Sequence, residues 1–456
     1  MSAREVLSWN ITMRYHKIKS ELAPRIIVRN VSLWNSYGVR HGVDIAVKDG
    51  VVLAIAGNLR GEGYSDFLEI NGDGLALLPA GVDAQVHLRV PGQHQKETAS
   101  SGAWAAVAGG VGALLTMPNT KPVIDNIDTL RIAKLEVAGA EAETGVKVFF
   151  SAAMTMSQKG RDCVDFKKLA AEGVLAFTDD GVGVADDAVM RRVFEGAAKT
   201  GLPILQHAEV PGHGGVLADG PIQRMLGGAA YPPSAEIDMV ERDLRLMHGV
   251  PGARYHVLHV SAAETIQLVR SAKDKGLQVT CEVSPHHLFF SSDDIRPDNS
   301  SFKMNPPLRS REDKESLVAA LKVGDCDFMA TDHAPHESEV KTENFKTSAF
   351  GTTGLETSLR VLIYLWRQKQ LSSERLVDVW SKNPAKFLGI EADFGEIGEG
   401  RPFNAVLCDV EAEGRILSEA DFVGLSRNSC FIGSKLPGNV IMTLLGDKIH
   451  RISPIL

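Results

Sequence analysis

The sequence predicts an α/β protein, a TIM-like (β/α)8 barrel joined to a small β-rich domain built from both ends of the chain. Three observations lead there. Short apolar runs alternate with helical periodicity between about residues 82 and 395. The runs number eight, which fits a closed barrel better than the alternative, a doubly wound parallel sheet. Segments with strand character and Gly or Asp-Gly punctuation lie on both sides of that region.

Residues 1–24 read as an N-terminal extension, a docked tail or a partner-binding arm. Its charges are scattered and it has no apolar h-region, so it is not a secretory signal. Strands are expected in 25–34, 43–57 and 67–81, and again in 404–410 and 448–455. Residues 25–81 and 396–456 should therefore form one small sandwich-like domain, with the barrel over 82–395.

The eight barrel runs are 81–88, 111–117, 146–152, 174–178, 203–207, 255–260, 278–283 and 327–331. Helical stretches intervene, such as DDAVMRRVFEGAAKTG at 186–201 and SLVAALKVG at 316–324. The polar stretch 336–351 and the segment 304–312 follow the last two strands and are candidate lids over the mouth.

Composition narrows the function. With 49 basic and 57 acidic residues the net charge is −8, which argues against a general nucleic-acid binder. No apolar run is long enough to span a membrane. The five cysteines, Cys163, Cys281, Cys326, Cys408 and Cys430, have no C-x-x-C spacing, so a reducing, cytoplasmic setting is expected. Of 14 histidines, all but His16, His41 and His450 lie between His87 and His336. That concentration hints at metal or acid–base chemistry in the barrel.

In a barrel of this kind chemistry is found at the C-terminal strand ends. The first strand ends in Asp83, Gln85, His87 and Arg89, and the second in MPNT with Asn119. The fourth ends in Asp179 and Asp180, the fifth in His207 and Glu209, the sixth in His259 and Ser261, and the eighth in Asp332, His333 and His336. Imidazoles and carboxylates suit Zn²⁺ or Mn²⁺. Two such ions can activate water between them and polarise a carbonyl. Singly, each residue has a plainer reading: a lone histidine is usually structural, and Asp-Asp-Gly is usually a turn. His256 and His259 are three apart and point to opposite faces, as do Asp179 and Asp180, so one of each pair can face the mouth.

In this order the residues resemble the amidohydrolase superfamily, and within it the class I dihydroorotases. The matching stretches include GVDAQVHLRVPGQHQKE, GALLTMPNTKPVID, LAFTDDG, LQHAE, HVLHVSAAET, SPHHL, FKMNPPLRS, TDHAPH and FGTTGLET. The resemblance covers nearly everything from Arg25 onward. It implies reversible cyclisation of N-carbamoyl-L-aspartate to L-dihydroorotate in pyrimidine biosynthesis. It also implies one or two Zn²⁺ ions per chain, with Mn²⁺ as a substitute. By position, His87 and Asp332 would bind the more buried metal, Asp180 would bridge, and His207 and His259 would hold the second. Asp332 would also be the general acid/base. Arg89, Asn119 and His336 would grip the substrate carboxylate, and Asn305 would contact the ring. VLAFTDDG has no lysine, which separates the chain from hydantoinases that use a carboxylated one. Homo-oligomerisation and association with aspartate transcarbamoylase are the partners implied.

One position departs from the pattern. The family reads Asp-x-His-x-His on the first strand, and this chain reads Asp83-Ala84-Gln85-Val86-His87. A glutamine oxygen is a much poorer Zn²⁺ ligand than imidazole. The site could keep two metals, keep one on Asp180, His207 and His259, or be catalytically impaired and serve as a structural partner of the transcarbamoylase. An allantoinase- or hydantoinase-type cyclic amidase is the neighbouring chemistry.

Overall fold

The structure is a computed structural model that describes residues 18–342 and 344–452. Its centre is an eight-stranded sheet in which every neighbouring pair is consecutive in the chain and parallel. The strands are Gly81–Val86, Val111–Thr116, Lys147–Ala152, Ala176–Phe177, Ile204–Gln206, Tyr255–Val257, Val279–Val283 and Phe328–Met329. Each lies inside the run expected for it. Parallel strands covered on both faces must be apolar throughout, so they read as continuous runs. The first and last strands meet through a bridge between Val86 and His333 and a bond from His87 N to His333 O of 2.9 Å. That contact nearly closes the barrel.

Helices cover the outside, and their ends are set locally. In Ala99–Gly109, Thr98 caps the N-terminus through a reciprocal pair with Ser101. Gly110 ends that helix at φ 82°, and a Cβ there would lie 2.7 Å from Val406 Cγ2. Glycine is needed for the left-handed turn and for the close approach of the small domain. Helix Asp187–Ala198 buries Val189, Met190, Val193, Phe194 and Ala197, the spacing of one helix face.

The two ends of the chain form one nine-stranded sheet. Strands 404–409 and 439–445 from the C-terminal part lie beside Ala76–Pro79 and Arg25–Asn35 from the N-terminal part. Ile26, Val28, Ile45, Leu77, Leu407 and Leu444 fill its core. Only Ala80 separates this sheet from the first barrel strand. Within the expected extension over 1–24, Ile18–Leu22 is a strand that pairs antiparallel with Lys448–Ile452; residues 1–17 lie outside the described residues. The segment after Asp409 returns to the barrel, where Leu417, Val423, Phe431 and Leu436 join the main core. It brings Asn428 to the mouth.

Candidate metal centre and active site

The residues expected at the strand ends converge. His207 Nδ1 lies 3.0 Å from His259 Nε2, and Asp180 Oδ1 lies 3.6 Å and 3.8 Å from those nitrogens. These three residues are buried and can hold a divalent cation. The other oxygen of Asp180 faces a second group. His87 Nε2 is 3.1 Å from Asp180 Oδ2 and 3.1 Å from Asp332 Oδ1. Asp180 therefore touches both halves of the centre. Asp179 points away and accepts from Met154 N at 2.8 Å and Thr155 N at 3.1 Å, a structural role.

Backbone conformation helps aim these groups. Arg89, His259 and Asp332 have φ of 61°, 33° and 49°, values that L-residues adopt at a cost. All three lie just past their strands, where the chain turns its side chains into the mouth.

The electrostatics suit a cation. Burial opposes charge on Asp180, yet bonds from His259 and His87 outweigh it and hold the carboxyl well below its ordinary range. Burial and Arg89 oppose charge on His87, but Asp180 and Asp332 outweigh both and raise the ring to about 9. A proton on His87 thus supplies positive charge between two carboxylates.

Arg89 is buried, and burial lowers it to about 10 against the pull of Asp332 and Asp180. Its Nη2 lies 3.3 Å from His336 Nε2. Burial, then Arg89, depresses His336 to about 2, so the ring is neutral and accepts from the guanidinium. His336 N donates to Asn428 Oδ1 at 3.0 Å, and Asn428 Nδ2 donates to Ala334 O and Gly351 O. Sequence reading missed Asn428, because nothing in RNSC points to a barrel mouth.

Asn119 and Gln85 both meet other residues of the centre. Asn119 has its Oδ1 2.8 Å from His87 Nδ1 and its Nδ2 3.3 Å from Asp180 O, so it orients two ligands. Gln85 is fully buried, but its amide nitrogen, not its oxygen, faces Asp180 Oδ1 at 3.4 Å. Gln85 Oε1 has no partner among the described residues. Asn305 Nδ2 bonds Glu209 Oε2 at 2.8 Å.

A cavity of about 220 Å³ is lined by every expected ligand and substrate residue except Gln85. Phe350 and Gly351 form part of its wall. A larger, open groove of about 800 Å³ shares only His336 with it. The first candidate lid, 336–351, is tied to Ser300 and Lys303, just before the second at 304–312. Gly351 N donates to Lys303 O at 2.9 Å, Lys303 Nζ to Lys346 O at 2.8 Å, and Lys341 Nζ to Ser300 O at 2.6 Å.

Residues 76–449 match the model of the amidohydrolase family. A dihydroorotase of Lactiplantibacillus plantarum is 38% identical over 427 residues, covering 93% of this chain and 97% of that protein. A dihydroorotase of Halalkalibacterium halodurans is 37% identical over 429 residues, covering 93% and 98%. Among solved structures, the L-hydantoinase (dihydropyrimidinase) of Arthrobacter aurescens superposes with a TM-score of 0.82 at 26% identity, covering 96% of this chain and 98% of that one. A D-hydantoinase gives a TM-score of 0.80 at 22% identity over 95% and 96%, a likeness of fold.

Proposed function

The chain belongs to the amidohydrolase family, and from that premise we propose that it is a dihydroorotase, interconverting N-carbamoyl-L-aspartate and L-dihydroorotate. The observation that carries this reading is one cavity. In it a buried Arg89–His336 pair adjoins the cluster of His87, Asp180 and Asp332. A carboxylate clamp beside carboxylate and imidazole ligands is what an anionic cyclic amide requires. The dihydroorotases it resembles, aligned over nearly their whole length, support the same substrate.

Asp180, His207 and His259 would hold one Zn²⁺, and His87 and Asp332, with Asp180 shared, a second; Gln85 would join them only with its amide turned over, oxygen toward the centre. A divalent cation there supplies Lewis acidity to an oxygen at the mouth. The residues do the rest. The Arg89 guanidinium takes the substrate carboxylate in its planar fork, with His336 holding the fork in place. In ring opening, Asp332 accepts the proton of the attacking water and returns it to the departing ring nitrogen. In ring closure the same carboxyl takes the proton from the ureido nitrogen and gives it to the departing water. Phe350 and Gly351 line the cavity, and closure of 336–351 over it would exclude solvent, which matters when cyclisation competes with hydrolysis.

No helix among the described residues is long and apolar enough to cross a membrane. The five cysteines are all unpaired, in keeping with a reducing cytoplasm. A second reading draws on Gln85 alone: weakened metal binding would suit a non-catalytic partner of aspartate transcarbamoylase. A panel of dihydroorotate, allantoin and hydantoin, run on Zn²⁺-loaded protein, separates the readings. Turnover of dihydroorotate alone supports the first; turnover of a hydantoin in preference, or of nothing, defeats it.

A further inference from the structure

The fifth barrel strand, Ile204–Gln206, runs on into His207-Ala208-Glu209, and the two ionisable side chains meet. His207 Nε2 lies 3.1 Å from Glu209 Oε2, while Nδ1 of the same ring faces His259 and Asp180. A carboxylate only accepts hydrogen bonds, and a neutral imidazole carries one N–H. With the hydrogen on Nε2, the Nδ1 lone pair is left facing the cluster. The same Glu209 oxygen accepts from Asn305 Nδ2 at 2.8 Å; that nitrogen also lies 3.2 Å from His207 Nε2, and since both carry hydrogen in the Nε2–H form, each then donates to Glu209 rather than to the other. That contact fixes which way the Asn305 amide is turned and leaves Oδ1 without a partner among the described residues. Space for the carboxylate is built in: a Cβ on Gly214 would lie 2.5 Å from Glu209 Oε1.

We infer that Glu209 is a positioning residue: it holds His207 as the Nε2–H tautomer, Nδ1 toward the cation site, and turns Asn305 so that its oxygen is free for a ring N–H. One carboxylate oxygen thus sets a metal ligand and a ring contact together. The inference rests on the reading of His207 as a ligand. Carboxylates behind ligating histidines orient the ring and raise its basicity, and their loss weakens metal binding.

The test uses ¹⁵N-histidine spectra of ion-free protein, assigned with His207→Ala, and Zn²⁺ affinity by competition with a chromophoric chelator. Wild type should show His207 protonated on Nε2. Glu209→Ala should lose that preference and bind Zn²⁺ roughly 10–100-fold more weakly. Glu209→Gln, whose oxygen still accepts, should recover most of both. Gly214→Ala, which crowds the carboxylate without removing it, should weaken Zn²⁺ in the same direction and guards against misfolding of the first variant. A wild-type His207 protonated on Nδ1, or wild-type Zn²⁺ affinity in both Glu209→Ala and Gly214→Ala, overturns the inference. A wild type with the Nε2–H form that takes up no Zn²⁺ supports the pairing and defeats the metal reading of the preceding section.

Discussion

Asn119 Oδ1 lies 2.8 Å from His87 Nδ1, on the opposite side of the ring from Asp180 and Asp332. Because the Asn119 amide nitrogen is turned to Asp180 O, its oxygen is the end that accepts from His87. Asn119→Ala should therefore leave the ring free to rotate. Loss of such a partner costs about 10–100-fold in metal affinity or activity. Steady-state kinetics and metal titration of the variant check this, and a change confined to KM would point back to the expected carboxylate contact.

At position 85 the expected outcome is a gain. Gln85 offers no imidazole, and its oxygen is buried without a partner among the described residues. Gln85→His should raise the metal content bound beside His87 and Asp332, measured by elemental analysis after dialysis. Unchanged stoichiometry and affinity would count against position 85 as a ligand.

The reach of the C-terminal segment predicts a third effect. The Asn428 side chain makes three bonds, to His336 N, Ala334 O and Gly351 O, at the edge of the cavity. Asn428→Ala removes them all and leaves buried backbone groups unpaired. Each costs about 1–3 kcal/mol. A lower melting temperature together with a raised KM is expected; normal kinetics would show that the clip does not set His336.

Glu356 gives a pH signature away from the centre. Its Oε1 accepts from Val423 N and Gly424 N, and its Oε2 has no partner among the described residues. Burial raises the carboxyl from 4.5 to about 8. Between those values the folded chain keeps a proton that the unfolded chain releases, so this site's contribution to stability falls as pH rises from about 4.5 to about 8. Glu356→Gln is neutral throughout. Its melting temperature relative to wild type should climb across that window; a flat difference would contradict the shift.

How much of this was legible depends on what each residue answers to. The eight barrel strands were, because burial on both faces forces continuous apolar runs. Ile18–Leu22 was not: only Ile18 of its five residues is buried, so alternation is invisible, and its partner strand lies at the other end of the chain. Of His256 and His259 only the second reaches the mouth, as expected, but not through opposite faces of the strand: His259 lies past the strand end at φ 33°. His259 joins the centre, while His256 is stacked 5.1 Å from Phe328 inside the barrel. The His286–His287 pair, opaque in sequence, is bonded through Ser284, and His287 Nε2 holds Pro306 O beside Asn305. Asn428 acts through backbone atoms of residues far away in sequence, which no local pattern encodes.

The central claim is that these residues open and close the dihydroorotate ring. Its most direct test is conversion of L-dihydroorotate to N-carbamoyl-L-aspartate by protein reconstituted with Zn²⁺, before and after chelation and in Asp332→Asn. The account predicts turnover in both directions that is lost on chelation. It also predicts a fall in Asp332→Asn at the ~10²–10⁴-fold scale of acid–base catalysis. Folded, Zn²⁺-loaded protein that converts neither compound, or an Asp332→Asn variant as fast as wild type, would contradict it.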